Sequence, residues 1–214
     1  LERGVHVADL LLYFMGDVER VFATTGVFQK VRRRGGLSQN LRSYYGHRVE
    51  DEFAGQQEVV IDAEDTALGI VEFQSGASGQ ITMSDASHGH GVDVFTVHGS
   101  EGTLLFPHSR SGEGPVIKIE GRENPLVGAE LLALVPDWEL DDIGARLWDG
   151  QRRFTSYEMP FEQIDRKITA VELQDFAEAI EEPRSPEVDA AGGIRALALA
   201  YALLESGQAG RPVT

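Results

Sequence analysis

The chain has 214 residues and a formal net charge of −16, which excludes nucleic acid and anionic membranes as expected partners because both would repel it. It has no cysteine, which excludes disulfides, thiolate metal sites and a cysteine nucleophile. No apolar run is long enough to span a bilayer and the start lacks the basic segment of a signal peptide, so we expect a cytoplasmic protein.

The first predicted element is a helix over residues 4–15 that stops at Gly16. Polar side chains spaced four, three and four residues apart share one stripe of this helix: Glu2, His6, Asp9 and Tyr13. The remaining positions are almost all apolar. This distribution predicts a helix that is buried over most of its surface, with one seam left for a polar task.

The middle of the chain reads as β-structure. A strand is predicted over residues 18–25, and the polar, glycine-punctuated residues 30–58 predict a long loop excursion from the core, with room for one more strand. The clearest β pattern is a hairpin of residues 66–73 and 78–84. Further short strands are predicted at 92–98, 103–106 and 116–120. Strands joined by short turns, without intervening helices, indicate a mainly antiparallel sheet.

Two helices are predicted near the end of the chain. Apolar residues recur at helical spacing over 168–180, and an Ala- and Leu-rich helix covers 191–205 before Gly207. The predicted fold class is therefore α+β: a large, predominantly antiparallel open β-sheet with helices packed on one face. We expect residues 1–214 to form a single domain.

Four segments in the same order carry a family resemblance. Gly4–Leu11 fits the pattern G-x-H-x-x-D-L, Asp65–Ala67 opens the hairpin, Val97–Leu104 contains a G-x-x-G-T turn, and Glu205-Ser206-Gly207 lies near the end of the last helix. Together they resemble the Gfo/Idh/MocA family of oxidoreductases over most of the chain. Each motif alone is weak, and their common order is what carries the resemblance.

The resemblance implies one half of a two-domain, NAD(P)-dependent dehydrogenase that acts on a sugar, polyol or related hydroxy compound. In that family an N-terminal Rossmann domain holds NAD or NADP on a G-x-G-x-x-G turn, and no such strand–turn–helix is present here. The chain therefore resembles the C-terminal domain, of the glyceraldehyde-3-phosphate-dehydrogenase-like kind, cut inside its first helix. We expect no cofactor-binding residue in it and no activity from it in isolation.

The resemblance also assigns a role to the polar seam of the first helix. In the family the histidine of this helix relays the proton of the substrate hydroxyl, and by position that residue is His6. The family has Asp one turn earlier, where this chain has Glu2, one methylene longer. Asp9, one turn after His6, is the second candidate partner. Without the family context, a core histidine bonded to a backbone carbonyl is an alternative for His6.

A second polar cluster, residues 84–91, follows the predicted hairpin. His88 and His90 are two residues apart and would point the same way on an extended chain, a spacing that some metal sites use. The family is not metal-dependent and no third ligand is placed by the sequence, so we expect no metal. Because the family's ligand lies over this sheet, Asp85, His88 and His90 are candidate substrate contacts; a polar turn with flexible glycines is the alternative.

The residues from Arg32 to Arg48 form the cationic part of an acidic chain. They are compatible with a solvated loop, a cofactor phosphate, a substrate carboxylate or an acidic patch of a neighbouring subunit.

Two other functions stay open: a non-catalytic regulatory or oligomerisation module of the same fold, and NAD-assisted cleavage of a glycoside. An antiparallel sheet covered by helices on one side leaves its other face open. Family members pair through that face, so we expect a homodimer or tetramer.

Overall fold

The computed structural model of the chain describes residues 2–33, 55–86 and 92–214. Its helices are α1 (Glu2–Met15), α2 (Ala129–Leu134), α3 (Asp142–Leu147), α4 (Phe161–Glu181) and α5 (Ala190–Ala209). Its strands are β1 (Val18–Gly26), β2 (Val31–Arg33), β3 (Glu58–Val60), β4 (Thr66–Phe73), β5 (Ser78–Ser84), β6 (Phe95–His98), β7 (Gly102–Phe106) and β8 (Val116–Ile119).

The contacts divide the chain into two compact units. Unit 1 is Leu1–His90 together with Val188–Thr214, and unit 2 is Gly91–Glu187. The single domain expected over residues 1–214 stays a prediction.

Unit 1 is built on an antiparallel sheet in the order β1-β4-β5. Val21 of β1 pairs with Val71 of β4, which pairs in turn with Gly79 of β5. Side chains alternate between a buried face and an exposed face, as in a sheet that is packed on one side. The buried face is apolar: Val21, Ala23, Ala67, Val71, Phe73 and Ile81. The last helix, α5, packs against β1 and β4, and α1 packs against α5.

Two glycines allow α5 to lie close to the sheet. A Cβ atom on Gly207 would clash with Oγ1 of Thr25, and a Cβ atom on Gly69 would lie 2.6 Å from Cδ2 of Leu203. A larger side chain at either position would therefore force a neighbouring side chain or the helix itself to shift.

The outer edge of β1 is covered by the end of the chain. Val21 and Val213 exchange two backbone hydrogen bonds of 2.9 Å. The fully buried hydroxyl of Ser206 accepts a hydrogen bond from the Ala23 N–H at 2.9 Å and donates one to the Arg211 carbonyl at 2.8 Å. Backbone groups that an open sheet edge would expose are satisfied in this way.

Strands β2 and β3 form the two ends of the excursion expected over residues 30–58. They pair antiparallel, Val31 with Val60, and Arg33 Nε donates a hydrogen bond to Glu58 Oε1 at 2.8 Å. Residues 34–54 lie outside the described residues, so the loop itself stays a prediction.

Unit 2 contains the antiparallel sheet β6-β7-β8, and α3 packs against α4 within it. Phe95 of β6 pairs with Phe106 of β7, and their rings stack with centroids 4.7 Å apart. The buried apolar side chains of this unit are Leu126, Leu131, Ile143, Ala145 and Ile164.

Arg153 fastens the segment that follows α2. Its guanidinium donates to the carbonyl oxygens of Leu132 at 2.9 Å, Val135 at 3.1 Å and Pro136 at 2.7 Å, and also to that of Trp138. Carbonyls at the end of a helix have no partner within it. The guanidinium of Arg153 is planar and carries five N–H donors, so it hydrogen-bonds several carbonyl oxygens of this segment together.

A buried carboxylate fixes the start of α4. Asp165, 6% exposed, pairs with Nε of Arg110 at 2.9 Å. The guanidinium of Arg110 also lies over the Phe161 ring, 5.7 Å from its centroid. The turn that contains Arg110 is thereby tied to the first turns of the helix.

The α+β class, with antiparallel strands and packed helices, is confirmed. Within the described ranges the strands form three antiparallel sheets, whereas the sequence predicted one large sheet. Helix α4 begins at Phe161 rather than 168, because its first turns contain Asp165, a buried charge that masks the apolar period. Helix α5 continues to Ala209 rather than stopping at 205, because Gly207 lies within the helix, where it packs against Thr25, and Gly210 is the residue that caps its end. Strand β6 begins at Phe95 rather than 92.

The expectation that α1 is buried over most of its surface is wrong for this chain. Leu10, Tyr13 and Phe14 are 46%, 79% and 39% exposed. The helix packs on one side only, where Gly4 and Ala8 are buried. Among the helices of the described residues, none combines the length and apolar character needed to cross a membrane.

Candidate functional site

The first candidate site is the exposed side of α1. His6 and Asp9 are both exposed there, three residues apart, and Tyr13 follows one turn later. At 3.6 residues per turn these side chains lie opposite Gly4 and Ala8, the buried face of the helix. Glu2 lies in α1, but its side chain lies outside the described part of the chain.

Packing on the other side of α1 fixes where His6 is held. Ala8 is fully buried, and a Cβ atom on Gly4 would lie 3.4 Å from Cε of Met83 in β5. The helix ends at Met15, and the N–H of the next residue, Gly16, donates to the Leu12 carbonyl at 2.9 Å. A histidine on a helix anchored along its back is presented outward without the freedom of a loop residue.

The turn after α1 is also anchored. The carboxylate of Asp17 accepts a hydrogen bond from Arg195 of α5, and its carbonyl accepts one from the Gln74 N–H at 2.9 Å. The end of α1, the β4–β5 hairpin and α5 are therefore joined at Asp17.

The second candidate site lies at the end of β5. Asp85 is exposed and directly follows the strand, and its N–H donates to the Asp65 carbonyl at 2.8 Å. Nη2 of Arg32 lies 3.9 Å from Oδ2 of Asp85. His88 and His90 lie outside the described residues, so their substrate contacts stay predictions.

Asp65 is the central residue at this end of the sheet, and the sequence reasoning gave it no role. It is 7% exposed, and its carboxylate accepts hydrogen bonds from the N–H of Phe28 at 3.0 Å, the N–H of Gln29 at 2.8 Å and the hydroxyl of Thr66 at 3.0 Å. The motif Asp65-Thr66-Ala67, one of the four segments that carry the family resemblance, could have drawn attention to it.

These contacts determine the charge state of Asp65. Burial acts to raise the pKa of its carboxyl group. The hydrogen bonds from Phe28, Gln29 and Thr66, together with the positive charge of Arg32, outweigh burial and hold the pKa below its ordinary value of 3.8. Asp65 is therefore a carboxylate at neutral pH and acts only as an acceptor.

Neither a metal centre nor a nucleotide site is visible in the described part of the chain. Over residues 2–33, 55–86 and 92–214, no three His, Asp or Glu side chains converge as metal ligands would. The glycine turn at Gly99–Gly102 joins β6 to β7 instead of opening a helix, so it does not form the dinucleotide-binding strand–turn–helix.

A family model matches the whole chain. The model described as the C-terminal alpha/beta domain of an oxidoreductase family, Gfo/Idh/MocA, covers residues 1–214. No curated protein matches the chain significantly.

Solved structures share the fold at low sequence identity. An NAD-binding oxidoreductase from Klebsiella pneumoniae has a TM-score of 0.63 and 18% identity, over 98% of this chain and 48% of that one. Levoglucosan dehydrogenase in complex with NADH and L-sorbose has a TM-score of 0.60 and 20% identity, over 98% and 48%. An oxidoreductase from Agrobacterium radiobacter in complex with NAD+, L-tartaric acid and magnesium has 0.57 and 17%, over 98% and 47%. The chain thus spans about half the length of these proteins.

Proposed function

We propose a function from an established premise: the chain belongs to the Gfo/Idh/MocA oxidoreductase family, whose C-terminal alpha/beta domain matches all 214 of its residues. The proposed function is that of the substrate-binding and oligomerisation domain of an NAD(P)-dependent dehydrogenase. Its substrate is a sugar, a polyol or a related hydroxy compound. A cytoplasmic location remains a prediction.

The observation that carries this proposal is the exposure of His6 on the outer side of a helix anchored along its back. Oxidation of an alcohol requires a group that takes the hydroxyl proton while hydride leaves the carbon. Histidine is the side chain that ordinarily titrates near neutral pH, so it suits that task. We assign this proton transfer to His6.

Carboxylates on the same helix would assist His6. Asp9 lies three residues later and Glu2 four residues earlier, both within one turn. A carboxylate beside an imidazole orients the ring and stabilises its protonated form. We propose that Glu2 or Asp9 does so, with Glu2 in the place where the family has the shorter Asp.

The cofactor is proposed to bind mainly to a part of the protein outside this chain. The described residues do not form the glycine-rich turn that holds a dinucleotide, so this chain's own role is to bind substrate and move a proton. The related structures bind NAD+ or NADH. We therefore propose NAD or NADP as the cofactor of the whole protein.

Sugar ligands in the related structures support the substrate class. Levoglucosan dehydrogenase has been solved with L-sorbose and with levoglucosan. We propose that Asp85, His88 and His90, after β5, contact the hydroxyl groups of the substrate.

The open face of the β1-β4-β5 sheet is proposed as the surface between subunits of a homodimer or tetramer. Phe22, Leu68 and Ile70 lie on that face and are 43%, 47% and 53% exposed. The ion pair between Arg20 and Glu72, 2.6 Å apart, flanks them. An apolar centre with a charged border is typical of a protein interface.

The test is turnover by the full-length protein that carries this chain, screened against sugars and polyols with NAD and with NADP. His6→Ala is expected to lower kcat/KM by about 100-fold or more, because a general base contributes on that order. His108→Ala, which removes an exposed histidine of unit 2, is the matched control.

Each other outcome has a distinct meaning. Unchanged turnover in His6→Ala would remove His6 from the mechanism. An unmutated protein that binds sugars but oxidises none would favour the regulatory module. Glycoside cleavage without net reduction of the cofactor would favour the NAD-assisted glycosidase.

A further inference from the structure

Asp65 joins three segments of unit 1 that are distant in sequence. Its side chain holds the turn after β1 through the N–H groups of Phe28 and Gln29. Its own N–H donates to the Gly26 carbonyl at 3.1 Å, and its carbonyl accepts the Asp85 N–H at 2.8 Å. The end of β1, the start of β4 and the residue after β5 therefore meet at one buried group.

Arg32 is placed by the same turn. It lies in β2, three residues after Gln29, and its side chain is 25% exposed. Nη2 of its guanidinium lies 3.9 Å from Oδ2 of Asp85, and its positive charge helps to lower the pKa of Asp65. The path of the chain from Gln29 to Arg32 starts at the N–H groups that the Asp65 carboxylate binds. A change of the Asp65 side chain is therefore expected to displace Arg32 relative to Asp85, whose N–H is bonded by the Asp65 main-chain carbonyl.

The carboxylate of Asp85 and the guanidinium of Arg32 have complementary hydrogen-bonding capacities. An ionised carboxylate offers only acceptors and a guanidinium only donors. A hydroxyl group both donates and accepts, so a carboxylate and a guanidinium side by side match adjacent hydroxyl groups of a sugar or polyol. Asp85 is exposed and Arg32 partly exposed, at the end of the strand where the proposed substrate contacts lie.

We infer that Asp65 is a positioning residue for the pair Arg32–Asp85, and that this pair binds adjacent hydroxyl groups of the substrate. This inference rests on the proposed function for the existence of a hydroxylated substrate. It adds two residues, Asp65 and Arg32, to the site. Asp65 itself contacts no substrate; it acts through the two residues that it holds.

The positioning role is tested without any substrate, by hydrogen exchange in the full-length protein. Asp65→Asn keeps the size of the side chain and removes one acceptor and the charge. Exchange at the amides of Phe28 and Gln29 is expected to accelerate by roughly tenfold, since their charge-assisted hydrogen bonds to the Asp65 carboxylate are replaced by weaker ones. Asp62→Asn, the same change at an exposed residue three positions earlier, is expected to leave these amides unchanged. Unchanged exchange at Phe28 and Gln29 in Asp65→Asn would overturn the positioning role.

Substrate binding is tested by a double-mutant cycle in the same protein. Asp85→Asn and Asp65→Asn are each expected to raise KM about tenfold with kcat changed less than about twofold, because they weaken a contact made equally in the ground and transition states. The double variant is expected to resemble either single variant, since Asp65 acts through the Arg32–Asp85 pair that Asp85→Asn already breaks. Additive effects, or a loss of kcat with KM unchanged, would show a general structural role and overturn the inference.

The two proposals fail in different ways. If His6→Ala abolishes turnover while Asp85→Asn leaves KM unchanged, the dehydrogenase function stands and the hydroxyl-binding pair is wrong. If the unmutated protein oxidises no hydroxy compound, the dehydrogenase function and the substrate role of the pair fail together. The exchange rates at Phe28 and Gln29 still decide the positioning role of Asp65.

Discussion

The contacts that stabilise unit 1 internally differ from those that stabilise unit 2. In unit 1 a helix lies directly on a sheet, with glycines at the contact points and an apolar layer of side chains such as Phe73 and Leu203, both 1% exposed. In unit 2 short helices and turns are fastened by arginines: Arg153 on backbone carbonyls and Arg110 on a buried carboxylate. Burial of a continuous apolar face gives unit 1 a core, whereas unit 2 depends more on directional polar contacts.

The comparison predicts that truncation of the core has its largest effect in unit 1. Leu203→Ala is expected to lower the free energy of unfolding by about 4 kcal/mol, because it removes a side chain wedged over Gly69 and leaves a cavity. Urea denaturation measures the loss, and hydrogen exchange shows whether it is confined to unit 1. Leu173→Ala, on a side chain that is 64% exposed, is the control, with an expected change within about 0.5 kcal/mol. Equal losses in the two variants would contradict the comparison.

Loss of the buried Ser206 hydroxyl is expected to cause the next largest decrease in stability. Ser206→Ala leaves the Ala23 N–H and the Arg211 carbonyl without their partner and is expected to cost about 2 kcal/mol. Thermal denaturation measures this cost, and Ser156→Ala at an exposed serine provides the baseline. A melting temperature equal to that of the Ser156 variant would mean that the edge of β1 is held by Val213 alone.

In unit 2 the geometry of a guanidinium matters more than its charge. Arg153→Lys keeps the positive charge but removes the planar fork that reaches the Leu132, Val135 and Pro136 carbonyls. We expect a loss of about 1 kcal/mol, with faster amide exchange confined to residues 129–138. A lysine variant as stable as the unmutated protein would show that the charge alone suffices.

A further contribution to stability, one that acid removes, comes from two carboxylates, one in each unit. Hydrogen bonds outweigh burial to hold the pKa of Asp65 below 3.8, and the Glu187 N–H and Arg184 hold the pKa of Asp175 below the same value. Because the folded-state pKa is the lower one, each contributes stability that is complete above pH 3.8 and is lost as the pH falls through the folded-state pKa.

Denaturation at a series of pH values measures this contribution. Asp65→Asn is expected to flatten the acid part of the stability curve for unit 1, and Asp175→Asn that for unit 2. An unchanged curve in both variants would contradict the assigned contacts.

The elements that the sequence predicted well are those whose pattern is local. The hairpin of residues 66–73 and 78–84 has the predicted bounds because its alternation follows directly from one buried face. Asp165 is buried against Arg110, and Gly207 lies inside α5 against Thr25, so pattern alone placed the start of α4 and the end of α5 incorrectly. Periodicity carries no information about such distant partners.

The candidate site divides in the same way. A short motif on one helix suffices to single out His6 and Asp9, and the structure places both on the exposed side of α1. The role of Asp65 depends on contacts with Phe28, Gln29 and Asp85, which are 37, 36 and 20 residues apart from it. Such a convergence is visible only once the strands are paired.

The proton transfer assigned to His6 is the central claim, and the pH dependence of kcat/KM in the full-length protein tests it most directly. A base must be unprotonated to accept the hydroxyl proton, so activity is expected to fall with decreasing pH through one ionisation, and His6→Ala is expected to lose that ionisation together with most of the rate. The same acid limb and the same rate in His6→Ala would contradict the account.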